Sequence, residues 1–426
     1  MQNLVGFLGV IVILGIGYSL STHRGRIHGR TIVSGLILQF VLAFLLLRFP
    51  PIVAVFNAFA TAVTKVISFA DEGSVFIFGK STDASGPWGF IFAVKVLPII
   101  IFFAALMAVL YHIGVMQRVV AILAWGLRKT LQISGAEALS ASANIFLGQT
   151  EAPLTVKPFI ASMTRSQIMT IMVGGFASIA GSVMAAYIVL IGGADEETRI
   201  MVARHFMTAS VMSAPAGIVM AKLMMPETEV IPDESLERLE SMPRVGVNIL
   251  DAAAEGTADG LRLALNVGAM LVAFVALLAM LNYPLTALSE WEPIAAWRGE
   301  YSIPLFTFQN LLGYIFTPLA WCLGVGSDAH TVGSLMGQQV IATEFVAYMD
   351  LSRIIQDGGI APRSAAIATF VLCGFANLPS IAIQIGGLSA MAPNRRADFA
   401  QIGFRAMVAG ALACWMTGAV AGVFIE

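Results

Sequence analysis

Eight largely uncharged, apolar stretches of this chain are long enough to cross a bilayer, near 3–20, 31–55, 89–115, 167–192, 206–225, 263–288, 364–392 and 400–425. No water reaches the hydrocarbon core, so a spanning segment has to satisfy its backbone internally, and runs of this length do so as helices. Composition supports the count: apolar residues make up 58% and charged residues 12%, with mean hydropathy +0.84. That charge content is about half the roughly 25% of an ordinary globular domain. A water-soluble enzyme is excluded, and the expected fold is an all-α polytopic membrane protein with eight transmembrane spans.

Orientation follows from where the cations fall. The first apolar run has no basic residues ahead of it, and Arg24, Arg26 and Arg30 come after it. It reads as a retained first span with its N-terminus outside rather than as a signal peptide. An even number of crossings puts the C-terminus outside as well. The segments then placed inside, 22–30, 116–129, 226–262 and 394–405, are rich in Lys and Arg, whereas the outside loop 194–199 is mostly acidic and 289–300 is rich in Trp and Glu. Arg353, Arg363 and Lys80 run against this pattern. The polar stretch 226–244 reads as a cytoplasmic loop. Asp251, Glu255 and Asp259, at i, i+4 spacing, read as the wet face of the helix entering the sixth span.

A net charge of −2 gives no reason to expect a nucleic-acid partner. Cys322, Cys373 and Cys414 lie far apart in apolar runs, and His23, His28, His112, His205 and His330 form no ligand-like cluster. No hydrolase or metalloprotease motif occurs. GSVFIFGKST (73–82) imitates a phosphate loop, but one residue too many separates Gly73 from Gly79. The chain is therefore not expected to be an enzyme or to hold a cofactor.

Two pieces, 130–165 and 327–362, are apolar but interrupted by Gly, Pro and acidic residues, and they prove to be copies. LAWGL (123–127), QTEAP (149–153) and GFASIAG (175–181) recur in the same order as LAWCLG (319–324), ATEFVA (342–347) and GFANLPS (374–380). Three crossings, an odd number, separate the copies, so they enter the membrane from opposite sides. An inverted repeat with broken apolar helices points to a secondary transporter whose site lies at the repeat interface.

Glu151 and Glu344 occupy matching places in the two copies at membrane depth. An ionised carboxylate there costs at least about 2.5 kcal/mol, so function is the default reading, against an interfacial glutamate or one paired with Lys157. Gly148, Gln149, Thr150 and Pro153 supply a helix break beside Glu151. Gln149 offers a donor and an acceptor on one amide, a fit for a neutral heterocycle, and Thr150 adds a hydroxyl. Neighbouring sugar hydroxyls can both donate to one carboxylate. Asn377 and Ser380 share one face of a helical turn, and Pro379 between them argues for a break there. Two glutamates with no obligatory arginine make such a pocket hostile to phosphates and carboxylates. Polar, neutral, hydroxyl-bearing solutes are favoured.

These residues resemble the concentrative nucleoside transporters. The stretches that carry the resemblance are GSVFIFG (73–79), ALMAVLYHIGVMQ (105–117), ANIFLGQTEAPL (143–154), FASIAGSV (176–183), LALNVGAML (263–271), EFVAYMDL (344–351) and GFANLPSIAIQIGGLSAMAP (374–393). The resemblance implies a homotrimer in the cell inner membrane, with two re-entrant hairpins and broken helices in each protomer. It divides the chain into scaffold spans with an interfacial segment (1–115), a first transport-region repeat (116–225), a loop and scaffold span (226–290) and a second transport-region repeat (303–426). It implies nucleobase contacts from Gly148, Gln149, Thr150 and Glu151, and ribose contacts from Glu344, Asn377 and Ser380, with Phe375 lining the pocket. It also implies a coupling sodium ion held by Asn144, Leu147, Ser178 and Ile179. The implied activity is cation-coupled uptake of a nucleoside of the uridine, cytidine or adenosine type by an elevator movement. A proton-coupled transporter, or one for another neutral solute such as a nucleobase, is the runner-up. Many family members carry Asn where this chain has Thr343, which bears on base preference.

Overall fold

The computed structural model describes residues 2–83, 86–193, 195–231, 246–301 and 305–425. Among them every regular element is helical. Residues 232–244 of the expected cytoplasmic loop, Ala194 of the acidic loop and residues 303–304 at the start of the second repeat lie outside the described residues.

The helices that position the site are α1 (Gln2–Ser19), α2 (Gly29–Leu47), α3 (Pro50–Phe78), α4 (Leu97–His112), α5 (Val115–Leu131), α6 (Gly135–Ala143), α7 (Arg165–Phe176), α8 (Gly181–Gly192) and α9 (Glu196–Met224). After them come α10 (Ile249–Glu290), α11 (Phe308–Cys322), α12 (Ala329–Ile341), α13 (Glu344–Gln356), α14 (Pro362–Val371), α15 (Leu378–Met391) and α16 (Arg396–Phe424). Among the described residues, seven helical stretches are long and apolar enough to cross a membrane by themselves, and Leu4–Ser19 and Leu378–Met391 are shorter apolar helices.

The expected single span 31–55 is a correction. The helix stops at Leu47, and a new one starts at Pro50 and Pro51. Proline has no N–H to donate and forces the residue before it out of the helical region, so a Pro pair can open a helix but cannot continue one. The sixth apolar run is only the later part of α10, a 42-residue helix whose polar first turns include Asp251, Glu255 and Asp259. All three are exposed, in keeping with a wet face.

The order α5, α6, short helix Lys157–Ile160, α7, α8, α9 repeats as α11, α12, α13, α14, α15, α16. Each copy is a helix, a hairpin, a helix broken in the middle and a long closing helix. The apolar runs 167–192 and 364–392 are these broken helices. In copy one, α6 and α7 open with capping boxes. Ser134 Oγ accepts from Glu137 N at 3.2 Å and Glu137 Oε2 from Ser134 N at 3.1 Å, and Thr164 pairs in the same way with Gln167.

The copies interlock crosswise. The tip of the first hairpin reaches α15, where Gln149 bonds Ser380 and Gln384. At the second hairpin, Glu344 at the tip and Ser352 further along α13 reach α8, bonding Tyr187 and the Leu190 carbonyl. The unwound segments meet directly, with Phe375 N donating to Ser178 O at 3.2 Å. Helices α1 and α16 run antiparallel, Gly6 lying against Ala419 and Val423 while Arg405 bonds the Leu20 carbonyl. Both chain ends therefore sit at the same end of the bundle.

Outside the repeats, α10 lies along α4 through a seam of small residues. Ala252, Gly256, Gly260 and Ala264 recur every four residues and are all buried. A Cβ on Gly260 would come within 2.8 Å of the Ala104 Cβ and the Ile101 Cα. This spacing of small residues lets membrane helices approach backbone to backbone. Gly260→Val should therefore cost about 1–3 kcal/mol through overpacking, seen as a lowered thermal unfolding midpoint of the purified protein. Gly15→Ala, which meets open space, should leave it unchanged.

At the end opposite the termini, Lys222 Nζ on α9 meets Glu137 Oε1 on α6 at 2.6 Å, with the Glu137 side chain fully buried. Thr170 Oγ1 donates to the same carboxylate oxygen at 2.7 Å, and Lys222 Nζ also donates to Ser166 Oγ. This plug ties the base of the first hairpin to α7 and α9. Lys222→Met leaves a buried carboxylate without its cation and should cost about 3–5 kcal/mol. The double variant Glu137→Gln/Lys222→Met should recover much of that loss in the same unfolding measurement.

Candidate functional site

The first hairpin turns after α6 runs out at Ala143, and Gly148 lies against Ala180. Gly148 N donates to Glu151 Oε2 at 3.3 Å, so the carboxylate of Glu151 closes its own turn. Pro153 lies in the first turn of the 3-10 segment Ala152–Val156, where a missing N–H costs nothing. Among the described residues no ion pair joins Glu151 to Lys157.

The second hairpin turns at Ala342 and Thr343. Thr343 caps α13, its Oγ1 accepting from Val346 N at 3.3 Å. Glu344 is the first residue of that helix and only 5% exposed. Tyr187 Oη donates to its Oε1 and Asn377 Nδ2 to its Oε2, both at 2.8 Å. The helix N-terminus also favours negative charge at this position. The carboxylate is thus held by neutral donors, and no Lys, Arg or His makes an ion pair with it among the described residues.

The second break is a correction in detail. The backbone unwinds between Val371 and Leu378, ahead of Pro379, which lies in the first turn of α15. Asn377 is the cap, its Oδ1 accepting from Ser380 N at 2.9 Å while its amide donates to Glu344. Ser380 Oγ accepts from Gln149 Nε2, and Gln149 Oε1 accepts from Gln384 Nε2, both at 3.2 Å. A continuous polar chain therefore runs from Tyr187 through Glu344, Asn377, Ser380 and Gln149 to Gln384, joining the two hairpin tips.

Gly148, Gln149, Thr150, Glu151, Glu344, Phe375, Asn377 and Ser380 all line one cavity of about 690 Å³. Its volume is within the ordinary range of small-molecule sites. Helix α10 closes it with Asp259, Arg262 and Asn266. The expectation that no arginine belongs in the pocket is corrected here. Arg262 is present, largely exposed and 3.5 Å from Asp259 Oδ1. Three acids and one base leave the lining at a formal −2, so the site remains unfavourable for anions. Tyr187 and Gln384 were not legible as site residues, because each sits singly in an apolar run whose charge and spacing are unremarkable.

Asn144, Leu147, Ser178 and Ile179 lie where the first hairpin tip meets the first break, which Gly181 N ties together by donating to Phe146 O at 2.9 Å. The carbonyls of Asn144, Leu147 and Ile179 accept no hydrogen bond among the described residues. Asn144 Oδ1 is buried without a partner. Ser178 Oγ donates to Gly174 O at 2.9 Å, which leaves its lone pairs available. Uncommitted hard oxygens on unwound backbone suit a small alkali cation. No cluster of three or more His, Cys, Asp or Glu residues suited to a transition metal occurs among the described residues.

Comparison with known proteins covers nearly the whole chain. A family model described as Na+ dependent nucleoside transporter C-terminus matches residues 205–422, its N-terminal counterpart matches 8–81, and one described as nucleoside recognition (Gate) matches 93–194. An uncharacterized transporter of Haemophilus influenzae is 44% identical over 430 residues, covering 100% of this chain and 98% of that protein. The putative nucleoside permease NupX of Escherichia coli is 39% identical, covering 100% and 99%. Mouse solute carrier family 28 member 3 is 39% identical over 100% of this chain, which spans 59% of its length. Among solved structures, CNTnw in an inward-facing substrate-bound state superposes with a TM-score of 0.89 at 41% identity, covering 100% of this chain and 98% of that one. An outward-facing form of the same protein gives 0.89 at 40% identity with the same coverage. Matched from end to end in sequence and in fold, the chain belongs to the Na+-dependent, or concentrative, nucleoside transporters, a family of multi-pass membrane transporters rather than enzymes.

Proposed function

We propose that the protein couples an inward sodium gradient to the uptake of nucleosides across the cell inner membrane. The observation that carries this reading is the environment of Glu344. Its buried carboxylate is held by two neutral donors beside a cavity that also offers the Gln149 amide. Such a carboxylate can accept from two adjacent ribose hydroxyls, and charge-assisted bonds of this kind are the strong ones. Gln149 and Thr150 then meet the edge of the base, and Glu151 accepts from its N–H groups. Phe375 supplies an apolar wall.

Sodium enters this reading as cargo. The carbonyls of Asn144, Leu147 and Ile179 and the oxygens of Ser178 belong to the hairpin and break that also present Gly148 to Glu151, so filling the ion site orders the base-binding turn. One charge crossing about 100 mV contributes about 2.3 kcal/mol, and a tenfold ion gradient adds about 1.4. Together they sustain accumulation of several hundred-fold.

Alternating access follows as an elevator: the hairpins and broken helices, with the site residues they carry, move as one body against α4 and α10, whose Asp259, Arg262 and Asn266 form the static wall of the cavity. The crosswise bonding between the copies supports this, because the site cannot be opened by moving one repeat alone. The shared end of the two termini, opposite the basic end with Arg24, Arg165, Arg395 and Arg405, supports placing both termini outside. Assembly as a homotrimer rests on the family resemblance. The runner-up, proton coupling, is favoured by the absence of a cation paired with Glu344.

Labelled uridine should accumulate in proteoliposomes under an inward sodium gradient and not under an inward proton gradient alone. Uptake driven only by protons would move the coupling role to Glu151 and Glu344. Glu344→Gln should weaken nucleoside binding at least about tenfold, the loss of a hydrogen bond to a charged group, while the protein elutes and unfolds as the native form does. Normal binding by that variant would remove Glu344 from the ribose site. A substrate lacking both ribose hydroxyls should lose affinity in the native protein and little further in the variant.

A further inference from the structure

Gln384 on α15 is only 1% exposed and is not among the residues that line the cavity between the hairpin tips. Its Nε2 donates to the Met172 carbonyl on α7 at 3.1 Å and to Gln149 Oε1 at 3.2 Å, so both amide hydrogens are used. Its Oε1 is buried with no partner among the described residues. A buried acceptor left unsatisfied costs free energy that a Met of similar size would avoid. The amide must therefore do something that an apolar side chain cannot. We propose that Gln384 is a positioning residue that fixes the hydrogen-bond polarity of the substrate site, so that the Ser380 hydroxyl is left to donate to an oxygen of the ribose. The assignment rests on the proposed nucleoside function.

A backbone carbonyl only accepts and a backbone N–H only donates, so main-chain groups decide which way each amide faces. At one end, Met172 O draws the nitrogen of Gln384 toward it. Reversing that amide would set its oxygen against two others, Met172 O and Gln149 Oε1. The second N–H of Gln384 takes the oxygen of Gln149, which turns Gln149 Nε2 to Ser380 Oγ at 3.2 Å. At the other end, Ser380 N donates to Asn377 Oδ1 at 2.9 Å and so sends the Asn377 amide nitrogen to Glu344. The two lines of polarity meet at Ser380. Its oxygen accepts from Gln149, and its proton has no acceptor among the described residues.

Ser380 and Glu344 both line the cavity. An ionised carboxylate only accepts, so a substrate has to bring donors to Glu344 and an acceptor to Ser380. Neighbouring hydroxyls and ether oxygens of a ribose meet both demands. The fold makes room for the control from behind. Gly175 on α7 lies where the two amides cross, and a Cβ there would come within 2.7 Å of Gln384 Nε2 and 2.9 Å of Gln149 Cβ. Without Gln384, the Gln149 amide is free to turn over and accept the Ser380 proton, which removes that donor from the substrate.

The test is a double-mutant cycle read by calorimetric binding of uridine to the purified full-length protein with sodium present. Gln384→Met and Ser380→Ala should each weaken binding about three- to tenfold, the worth of a neutral hydrogen bond. The double variant should stay within about twofold of Ser380→Ala, because both changes remove the same contact. Losses that multiply would overturn the proposal. Deoxyuridines lacking each ribose hydroxyl in turn supply a second readout. The analogue whose penalty shrinks in Ser380→Ala should be the one whose penalty shrinks in Gln384→Met, whereas a uniform loss for every analogue would mark a merely structural role and overturn the assignment. If Gln384→Met does not fold, Gln384→Asn, too short to reach both Met172 and Gln149, decides in the same cycle. Unchanged binding by a folded Gln384 variant would overturn this proposal alone. A native protein that binds no nucleoside would overturn the proposed function, and this assignment with it.

Discussion

Backbone that leaves the helix at membrane depth must find its hydrogen bonds inside the protein, because lipid offers none. This chain unwinds in several such places, and the rest of the architecture answers that demand. Phe375 N uses the carbonyl of Ser178, Gly181 N uses that of Phe146, and the Gln339 amide covers the carbonyls of Leu372 and Gly374. Three of the uncommitted carbonyls belong to Asn144, Leu147 and Ile179, beside the hydroxyl of Ser178. Hard oxygens left uncommitted there would suit a small alkali cation.

Two buried glutamates show how partners decide role. Glu137 meets a lysine at 2.6 Å and sits in a capping box, so its charge is cancelled and its geometry fixed. It holds the hairpin base in place. Glu344 is nearly as buried but is held by a phenol and an amide, which orient the carboxylate without neutralising it. Its remaining lone pairs face the cavity. The carboxylate is the same and the depth similar, but only the one with neutral neighbours keeps its charge uncancelled and lines the cavity.

The sequence made the site's acids legible because a charge in an apolar run is costly and therefore conspicuous. Glu151 and Glu344 stood out for that reason, and the repeated Thr-Glu pair tied them to matching positions. The all-helical fold and the broken helices were legible from run length and from Gly and Pro. Other features were not. Tyr187 and Gln384 are polar tips on otherwise ordinary apolar helices, and only the crosswise packing of the copies brings them to Glu344 and Gln149. Glu137 and Lys222 are 85 positions apart, so nothing local announces the pair. The division of 31–55 into two helices was written in Pro50 and Pro51, but hydropathy averaged over the stretch conceals it. The arginine in the cavity between the hairpin tips comes from α10, a helix that charge patterning marks as wet without saying what its wet face looks toward.

The crosswise bonding has a consequence for how the chain is made. The first hairpin tip and the first break are completed by Phe375, Ser380 and Gln384, which leave the ribosome roughly 200 residues later, on the order of 10–40 s at ordinary synthesis rates. Over that interval the first copy is in or near the bilayer with open carbonyls and an uncovered Gln149. Each copy leaves polar groups that only the other satisfies. The nascent first half must therefore wait in a wet or chaperoned environment, and the last helices to emerge release it from there.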